Sequence, residues 1–311
     1  MKALVTGISG FVGAGLAKKL LEKGWEVHGI IRPSSNLWRL SEVKKEIHFH
    51  KGSITNEDFV KTVFQKIRPD AVFHLAVYGA YPSQKEVSVI LNTSVLSTFF
   101  LLNVAKLSGV RVFVNSGSSS EYGTKEHPMR EDEHIDPNSY YAVGKAAQTL
   151  LGRHFAKEEG LPVITLRLFS VYGPFEEPGR LVPNVVLNAL HGKEISLADS
   201  LIARDFVYLD DVTDAYLLAA QKPELSGEVF NIGTGVQRTL KELADVVISK
   251  TNSHSPIVCG KYEKRSFDTH IWVADIHKAR SLLGWEPRYN LNSGLKENIS
   301  WFKKNSNLYH A

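Results

Sequence analysis

Tyr141 and Lys145, in Tyr-Ala-Val-Gly-Lys, are four residues apart on a stretch whose apolar spacing predicts a helix over 140–159, so they share a face. A free phenol titrates near ~10, and a neighbouring ammonium favours the phenolate, so the pair is a candidate acid or base near neutrality. Taken alone, the same spacing describes any surface Tyr/Lys pair. Upstream lies a hydroxyl cluster, Gly117-Ser118-Ser119-Ser120-Glu121-Tyr122-Gly123, directly after a strand-like stretch at 111–115. Such hydroxyls can hydrogen-bond a reacting oxygen, although a polar loop needs no such purpose. A third group opens the chain: Gly7-Ile8-Ser9-Gly10-Phe11-Val12-Gly13 sits between a strand-like run and a helix-like one. Glycines there permit a tight turn and close backbone approach to a pyrophosphate, while the helix N-terminus supplies amide donors. An ordinary strand-helix turn would need less glycine, so Gly7, Gly10, Phe11, Val12 and Gly13 are read as dinucleotide contacts. A phosphate-loop reading fails, because Ala146 follows Gly144-Lys145 and Ser139 stands where the leading glycine belongs.

The elements that must position these groups alternate strand and helix through the first half. Strands are predicted at 2–6, 26–31, 47–50, 71–76, 111–115 and 162–168, with helices at 11–23, 57–67, 87–107 and 140–159 between them. Gly24 ends the first helix and Pro69 follows another. This rhythm implies an α/β fold, a doubly wound, mostly parallel Rossmann sheet with helices on both faces. Beyond Tyr172 the chain is punctuated by Gly173, Pro174, Pro178, Gly179 and Pro183, and its elements shorten. A cofactor domain over 1–172 and a smaller α/β substrate-binding cap over 173–204 and 233–311 are therefore expected. Strands at 206–209 and 228–231 are expected to rejoin the main sheet, which assigns 205–232 to the first domain. Open sheets bind ligands beyond the carboxyl ends of their strands, so substrate should lie between the two parts.

At 311 residues the chain has room for one large or two unequal domains, and 43% hydrophobic with 23% charged residues is a globular composition. Lys plus Arg exceed Asp plus Glu by 37 to 33, a net charge of +4 without a basic block, which disfavours nucleic acid. Cys259 is the single cysteine and forms no internal disulfide. No stretch reads as the roughly 20 apolar residues that span a bilayer, and no signal peptide is evident, so no membrane and a cytoplasmic location are expected. His48 and His50 share a strand face without a third ligand at metal spacing, and no metal is expected.

The end of the second strand bears on which dinucleotide. A carboxylate about 20 residues past the glycines binds the ribose hydroxyl of NAD, whereas an arginine accommodates the extra phosphate of NADP. Here the strand ends Gly-Ile-Ile-Arg32, with Ser34, Ser35 and Asn36 as further donors. NADP(H) is favoured on Arg32 and Ser35, with NAD(H) possible; the competing reading makes Arg32 a solvated turn residue.

Glycine turn, hydroxyls after a central strand and Tyr/Lys on the next helix occur in this order, and together they resemble the extended short-chain dehydrogenase/reductase family, in its nucleotide-sugar epimerase, dehydratase and reductase branch. The resemblance runs through Leu166-Arg-Leu-Phe-Ser-Val-Tyr-Gly-Pro174, Arg204-Asp-Phe-Val-Tyr-Leu-Asp-Asp-Val212, Asn231-Ile-Gly233, Arg265-Ser-Phe-Asp268 and Leu283-Gly-Trp-Glu-Pro287. It implies Ser118 as the catalytic hydroxyl, Tyr141 as acid/base, and Lys145 as its partner and ribose ligand. It further implies cofactor contacts from Leu75, Ala76 and Asn92, and a nucleotide-diphosphate sugar met by Arg204 and Arg265. Tyr78, Ser119 and Arg180 are expected near the sugar by position. Members usually form homodimers through two long helices, here 87–107 and 140–159.

Departures choose among reactions. Dehydratases of the branch follow the catalytic hydroxyl with an acid, and here Ser119 and Ser120 follow Ser118, with Glu121 one position late. Dehydration is disfavoured. Arg32 and the form of the serine loop tilt the expectation to an NADPH-dependent reductase of a nucleotide-linked 4-keto-6-deoxy sugar. The alternative is a nucleotide-sugar 4-epimerase, and a non-catalytic NADP(H) sensor or scaffold is the remote third.

Overall fold

The computed structural model describes residues 1–81, 83–260 and 269–309. Six strands alternate with helices in the first half: β1 (Lys2–Thr6), β2 (Glu26–Ile31), β3 (Ile47–Lys51), β4 (Ala71–His74), β5 (Val112–Ser118) and β6 (Val163–Leu168). The second half adds β7 (Ser170–Tyr172), β8 (Ile195–Leu197), β9 (Ala203–Tyr208), β10 (Val229–Ile232), β11 (Gln237–Thr239) and β12 (Ile257–Cys259). Seven of these form one parallel sheet in the order β10-β6-β5-β4-β1-β2-β3. β4 and β5 are buried at every position, as continuous strands covered on both faces must be. The helices Phe11–Glu22 and Leu209–Gln221 cover one face, and Glu57–Ile67, Val87–Leu107 and Tyr140–Glu158 the other. The fold is the doubly wound α/β architecture expected.

Two expectations need correction. Of the two strands expected to return, only β10 joins the main sheet, beside β6; β9 pairs instead with β7 and β11 in a separate three-stranded sheet. The reason is that β7 follows β6 almost at once, after Phe169, and its register with Ser170 opposite Phe206 draws β9 to it. Second, Val87–Leu107 is one 21-residue helix long and apolar enough to cross a membrane by length and composition. In the fold it is a flanking helix: Ile90, Ser94, Thr98, Leu101, Leu102 and Ala105 are buried, and the Thr98 hydroxyl bonds His74 and the Ser94 carbonyl inside the protein. A π-helical turn, Asn92–Leu96, interrupts it beside Tyr140–Glu158.

Beyond β7, the helices Leu181–Leu190, Leu240–Thr251 and Leu291–Asn305 enclose a second core that includes Val186, Leu243, Leu295 and Phe302. A small apolar group, Tyr122, Met129, Phe169, Trp272, Ala274 and Ile276, fills the seam behind the end of β5. The halves are also fastened at the rim. Arg39, buried, donates to the Phe175 carbonyl (2.8 Å), to Glu177 (2.5 Å) and, at 3.5 Å, to the Ser9 carbonyl. Phe175 is held at φ +66° against Trp38 and Trp301, and the Tyr309 hydroxyl donates to the Glu176 carbonyl at 2.7 Å.

Candidate functional site

The glycine turn has room for backbone only. Gly7 has φ +69°, and a Cβ added there would lie 2.7 Å from the Ala76 nitrogen and the Leu75 carbonyl. At Gly13 the same atom would lie 2.2 Å from the Gly7 oxygen. The Gly10 amide donates to the Gly7 carbonyl at 2.9 Å, and Gly10 caps the helix Phe11–Glu22 without a side chain. No acid occupies the first turn, so its amide groups face the loop end without a competing anion. A cradle that any side chain would fill fits a dinucleotide pyrophosphate. Leu75 and Ala76 border it, and the Ala76 amide is anchored by the Thr6 hydroxyl at 3.2 Å. Arg32 is exposed at the end of β2, with its amide held by the Ser35 hydroxyl at 3.0 Å.

Ser118 ends β5, and its side chain accepts the Ser120 amide at 3.2 Å, leaving its own hydrogen to donate. Ser139 caps the facing helix, accepting the Ala142 amide at 3.2 Å, and thereby starts the turn that carries Tyr141. Gly144 is required between Tyr141 and Lys145, since a Cβ there would meet Ser94 at 2.8 Å. Burial raises the Tyr141 pKa, while a hydrogen bond with Ser118 and the charge of Arg180 pull it back. This corrects the expectation that Lys145 would bring the phenol down. The Lys145 ammonium is itself buried and donates to the Ser116 carbonyl at 2.7 Å, and desolvation lowers its pKa to about 8. The fold therefore brings Ser118 and Tyr141 together and keeps Lys145 behind them, against the strand that carries Ser118.

Glu121 is not a free acid. Its carboxylate accepts the Ser118 amide (2.8 Å), the Thr149 hydroxyl (2.8 Å) and the Arg167 Nε (2.9 Å), and it is fully buried. Arg167 in turn lies over the Tyr122 ring at 4.5 Å. Both of its oxygens are thus engaged inside the protein.

The substrate-side residues are more scattered. Arg180, which precedes the helix Leu181–Leu190, donates to the Ala80 carbonyl at 2.9 Å and covers Tyr81 at 4.8 Å. Tyr78 is half-buried on the same 75–81 segment. Arg204 lies on β9 over the Trp272 ring at 5.3 Å, and Trp272 donates to the Ser119 hydroxyl at 3.1 Å. Arg265 lies outside the described residues. Asn92 is exposed, whereas Ser94, two residues on, is the buried group against the Tyr/Lys helix.

Several supports carried no local signal. His74 is fully buried, bonded to Thr6 (2.7 Å) and Thr98 (3.0 Å), with its pKa lowered to about 3 by desolvation and then by Lys145, so it stays neutral. Asp205 accepts from the Thr234 amide (2.7 Å) and hydroxyl (2.6 Å), the Gly235 amide (3.0 Å) and the Ala274 amide (3.1 Å). A Cβ at Gly233 would lie 2.7 Å from that carboxylate, which explains the glycine. His50 meets His28 at 3.1 Å on the far edge of the sheet, away from these groups.

Residues 4–298 match the family model described as GDP-mannose 4,6 dehydratase. The UDP-glucuronate 4-epimerase of Thermodesulfobacterium geofontis is 32% identical, across 98% of this chain and 97% of the relative. Among solved structures, the Thermotoga maritima UDP-glucose 4-epimerase with UDP-glucose superposes with a TM-score of 0.90 at 32% identity, covering 98% of this chain and 100% of that one. The Bacillus cereus UDP-glucuronic acid 4-epimerase, in complex with UDP-glucuronic acid and NAD, gives 0.87 at 28% identity over 98% and 99%. Glycine cradle, hydroxyl-bearing strand end and Tyr/Lys helix thus occur here in a chain matched along almost all its length, and the chain belongs to the nucleotide-sugar epimerase and dehydratase branch of the extended short-chain dehydrogenase/reductase family.

Proposed function

We propose that the protein is a 4-epimerase of a nucleotide-diphosphate sugar, with UDP-linked hexoses or hexuronates as the first substrates to test. The observation that carries this reading is the pairing of Ser118 and Tyr141 beside a Glu121 that is locked by Arg167. Proton transfer at one sugar oxygen is provided for, and elimination of water is not. Relatives that are 4-epimerases support it further. They favour the epimerase alternative over the reductase preferred on sequence.

In this reading Ser118 donates to the sugar C4 oxygen, and the Tyr141 phenolate, which Ser118 and Arg180 favour against the burial that raises its pKa, takes the hydroxyl proton as the C4 hydrogen leaves. Gly7, Gly10 and Gly13, with Leu75 and Ala76, would hold the dinucleotide, which when bound would supply a reversible hydride acceptor for the sugar C4 position. Tyr141 gives the proton back after the keto sugar has turned its other face, so no net redox change remains. Lys145 reaches the cofactor ribose with the donors that Ser116 leaves over. Tyr78, Ser119 and Arg180 border the sugar, and Arg204, with Arg265, meets the diphosphate.

Arg32 supports NADP(H) as the cofactor, whereas NAD is the dinucleotide in the related Bacillus cereus structure. It also supports a second reading, the NADPH-dependent reductase of a 4-keto-6-deoxy sugar. A homodimer is supported by the exposed apolar side chains of Leu96, Phe99, Tyr140, Val143 and Leu150 along two neighbouring helices. A cytoplasmic location completes the reading.

The test is incubation of the purified protein with UDP-glucuronate and with UDP-glucose, without added cofactor, followed by separation of the 4-epimers. Epimer formation with no change in nicotinamide absorbance is expected. Turnover seen only with NADPH and a nucleotide 4-keto sugar would replace the epimerase by the reductase. Parallel titrations with NAD and NADP, repeated on Arg32→Ala, decide the cofactor.

A further inference from the structure

We propose that Glu121 and Arg167 are positioning residues, a buried charge pair that aims the Ser118 hydroxyl and fixes the pH at which Tyr141 exchanges its proton. The inference rests on the role of Tyr141 proposed above and extends it to two residues that touch neither substrate nor cofactor.

Three elements converge on the Glu121 carboxylate. One oxygen accepts the Ser118 amide, so the turn that carries the reactive hydroxyl is closed by the side chain of its own third residue. The other oxygen accepts from Thr149, eight residues along the helix from Tyr141, and from Arg167 on β6. The carboxylate also occupies the space a side chain at Gly117 would need, since a Cβ there would lie 2.6 Å from it. Because the Ser118 oxygen accepts the Ser120 amide, the direction of its hydrogen follows from the turn that Glu121 closes.

The pair is also electrically unequal as seen from Tyr141. Arg167 spreads its charge over the Tyr122 ring, and its Nη1 has no protein partner, while the Glu121 charge is turned toward the strand end. Glu121 acts to raise the Tyr141 pKa and that of Lys145. The other groups acting on Tyr141 are Ser118, Arg180 and Tyr81; Tyr216 is itself acted on by Tyr141, and Lys145 lies on the same helix as Tyr141. Of these, Arg180 acts on the buried Glu176 carboxyl, whereas Glu121 is held in a direct ion pair with Arg167 at 2.9 Å.

The signs of the expected changes are opposite for the two partners. Glu121→Gln removes the negative charge and leaves Arg167, so Tyr141 should titrate lower. Arg167→Gln leaves Glu121 uncompensated, so Tyr141 should titrate higher. The Glu121→Gln shift should be the larger, about one pH unit, the Arg167→Gln shift smaller, and the double variant should fall between Glu121→Gln and wild type. The measurement is the pH dependence of kcat for epimer formation from UDP-glucuronate or UDP-glucose, read at the limb that rises with pH. Ultraviolet titration of each protein against its own Tyr141→Phe counterpart reads the same phenol without substrate. Shifts in the same direction, or none, would overturn the proposal, because a purely structural pair would lower Tm in both variants without opposed limbs.

Thr149→Val removes one donor and keeps the ion pair, so it covers the case in which the charge variants do not fold. Its limb should move up by a fraction of a unit, and an unmoved limb would likewise overturn the proposal. An active Tyr141→Phe variant would instead remove the reading of Tyr141 itself, which separates the two failures.

Discussion

The glycine turn and the serine loop both sit at carboxyl ends of parallel strands in one sheet, yet they are made of different material. The turn is built mainly from backbone: Gly7, Gly10 and Gly13 pack against one another and against the Leu75 and Ala76 main chain. The serine loop is built from side chains that the fold must deliver, Thr149 from 28 residues away in sequence and Trp272 from 153. A backbone site is sensitive to any added atom and indifferent to charge. A side-chain site has the opposite sensitivities.

Substitutions can break that contrast, and the largest effect is expected at the phenol. Tyr141→Phe should cost about a thousandfold in kcat with little change in Tm, since it removes the transferred proton and no packing. A variant that keeps a tenth of wild-type turnover would exclude Tyr141 as the proton carrier. Gly13→Val comes next, because the clash with the Gly7 carbonyl must push the turn open. Dinucleotide affinity should fall by about a hundredfold, measured by titration of the purified protein. Unchanged affinity there would mean the turn is not the pyrophosphate site.

Asp205→Asn sharpens the comparison from the side-chain half. It puts an amide NH2 where one carboxylate oxygen now accepts, leaves the two donors on that oxygen without an acceptor, and should lower stability by about 2 kcal/mol, read by denaturant unfolding. The smallest effect is one of sign. In the cofactor-free protein the folded pKa of Lys145 is about 8, against 10.5 for the unfolded chain. Between those values the unfolded state binds more protons, so this group's contribution to stability rises with pH across the window. Lys145→Met should therefore raise Tm at pH 7, with a gain that shrinks toward pH 10, while activity is lost. A gain that grows with pH would contradict the buried, strained ammonium.

What could be read from the chain follows the same division. The glycine spacing and the alternation of strands were visible because they are local and because a parallel sheet buries continuous apolar runs. Ser118, Tyr141 and Lys145 were visible as candidates because a strand end and the helix that next packs against that strand follow one another along the chain. The direction of the Tyr141 shift was not, since it depends on burial and on Ser118 and Arg180, which no spacing relates. The path of β9 was misjudged because strand-like composition says nothing of which neighbour a strand finds. Asn92 was named from the resemblance, and the π-helical turn that begins there turns Ser94 inward.

The clasp of Arg39, Phe175 and Tyr309 carries a thermodynamic consequence. It ties a helix near the end of the described chain to the turn after the second strand, as the seam around Tyr122 and Trp272 ties the middle. Lobes joined at two separated places cannot loosen one at a time without exposing both seams. Heating should then give one calorimetric peak for the whole molecule, although the described residues form three sheets and distinct cores.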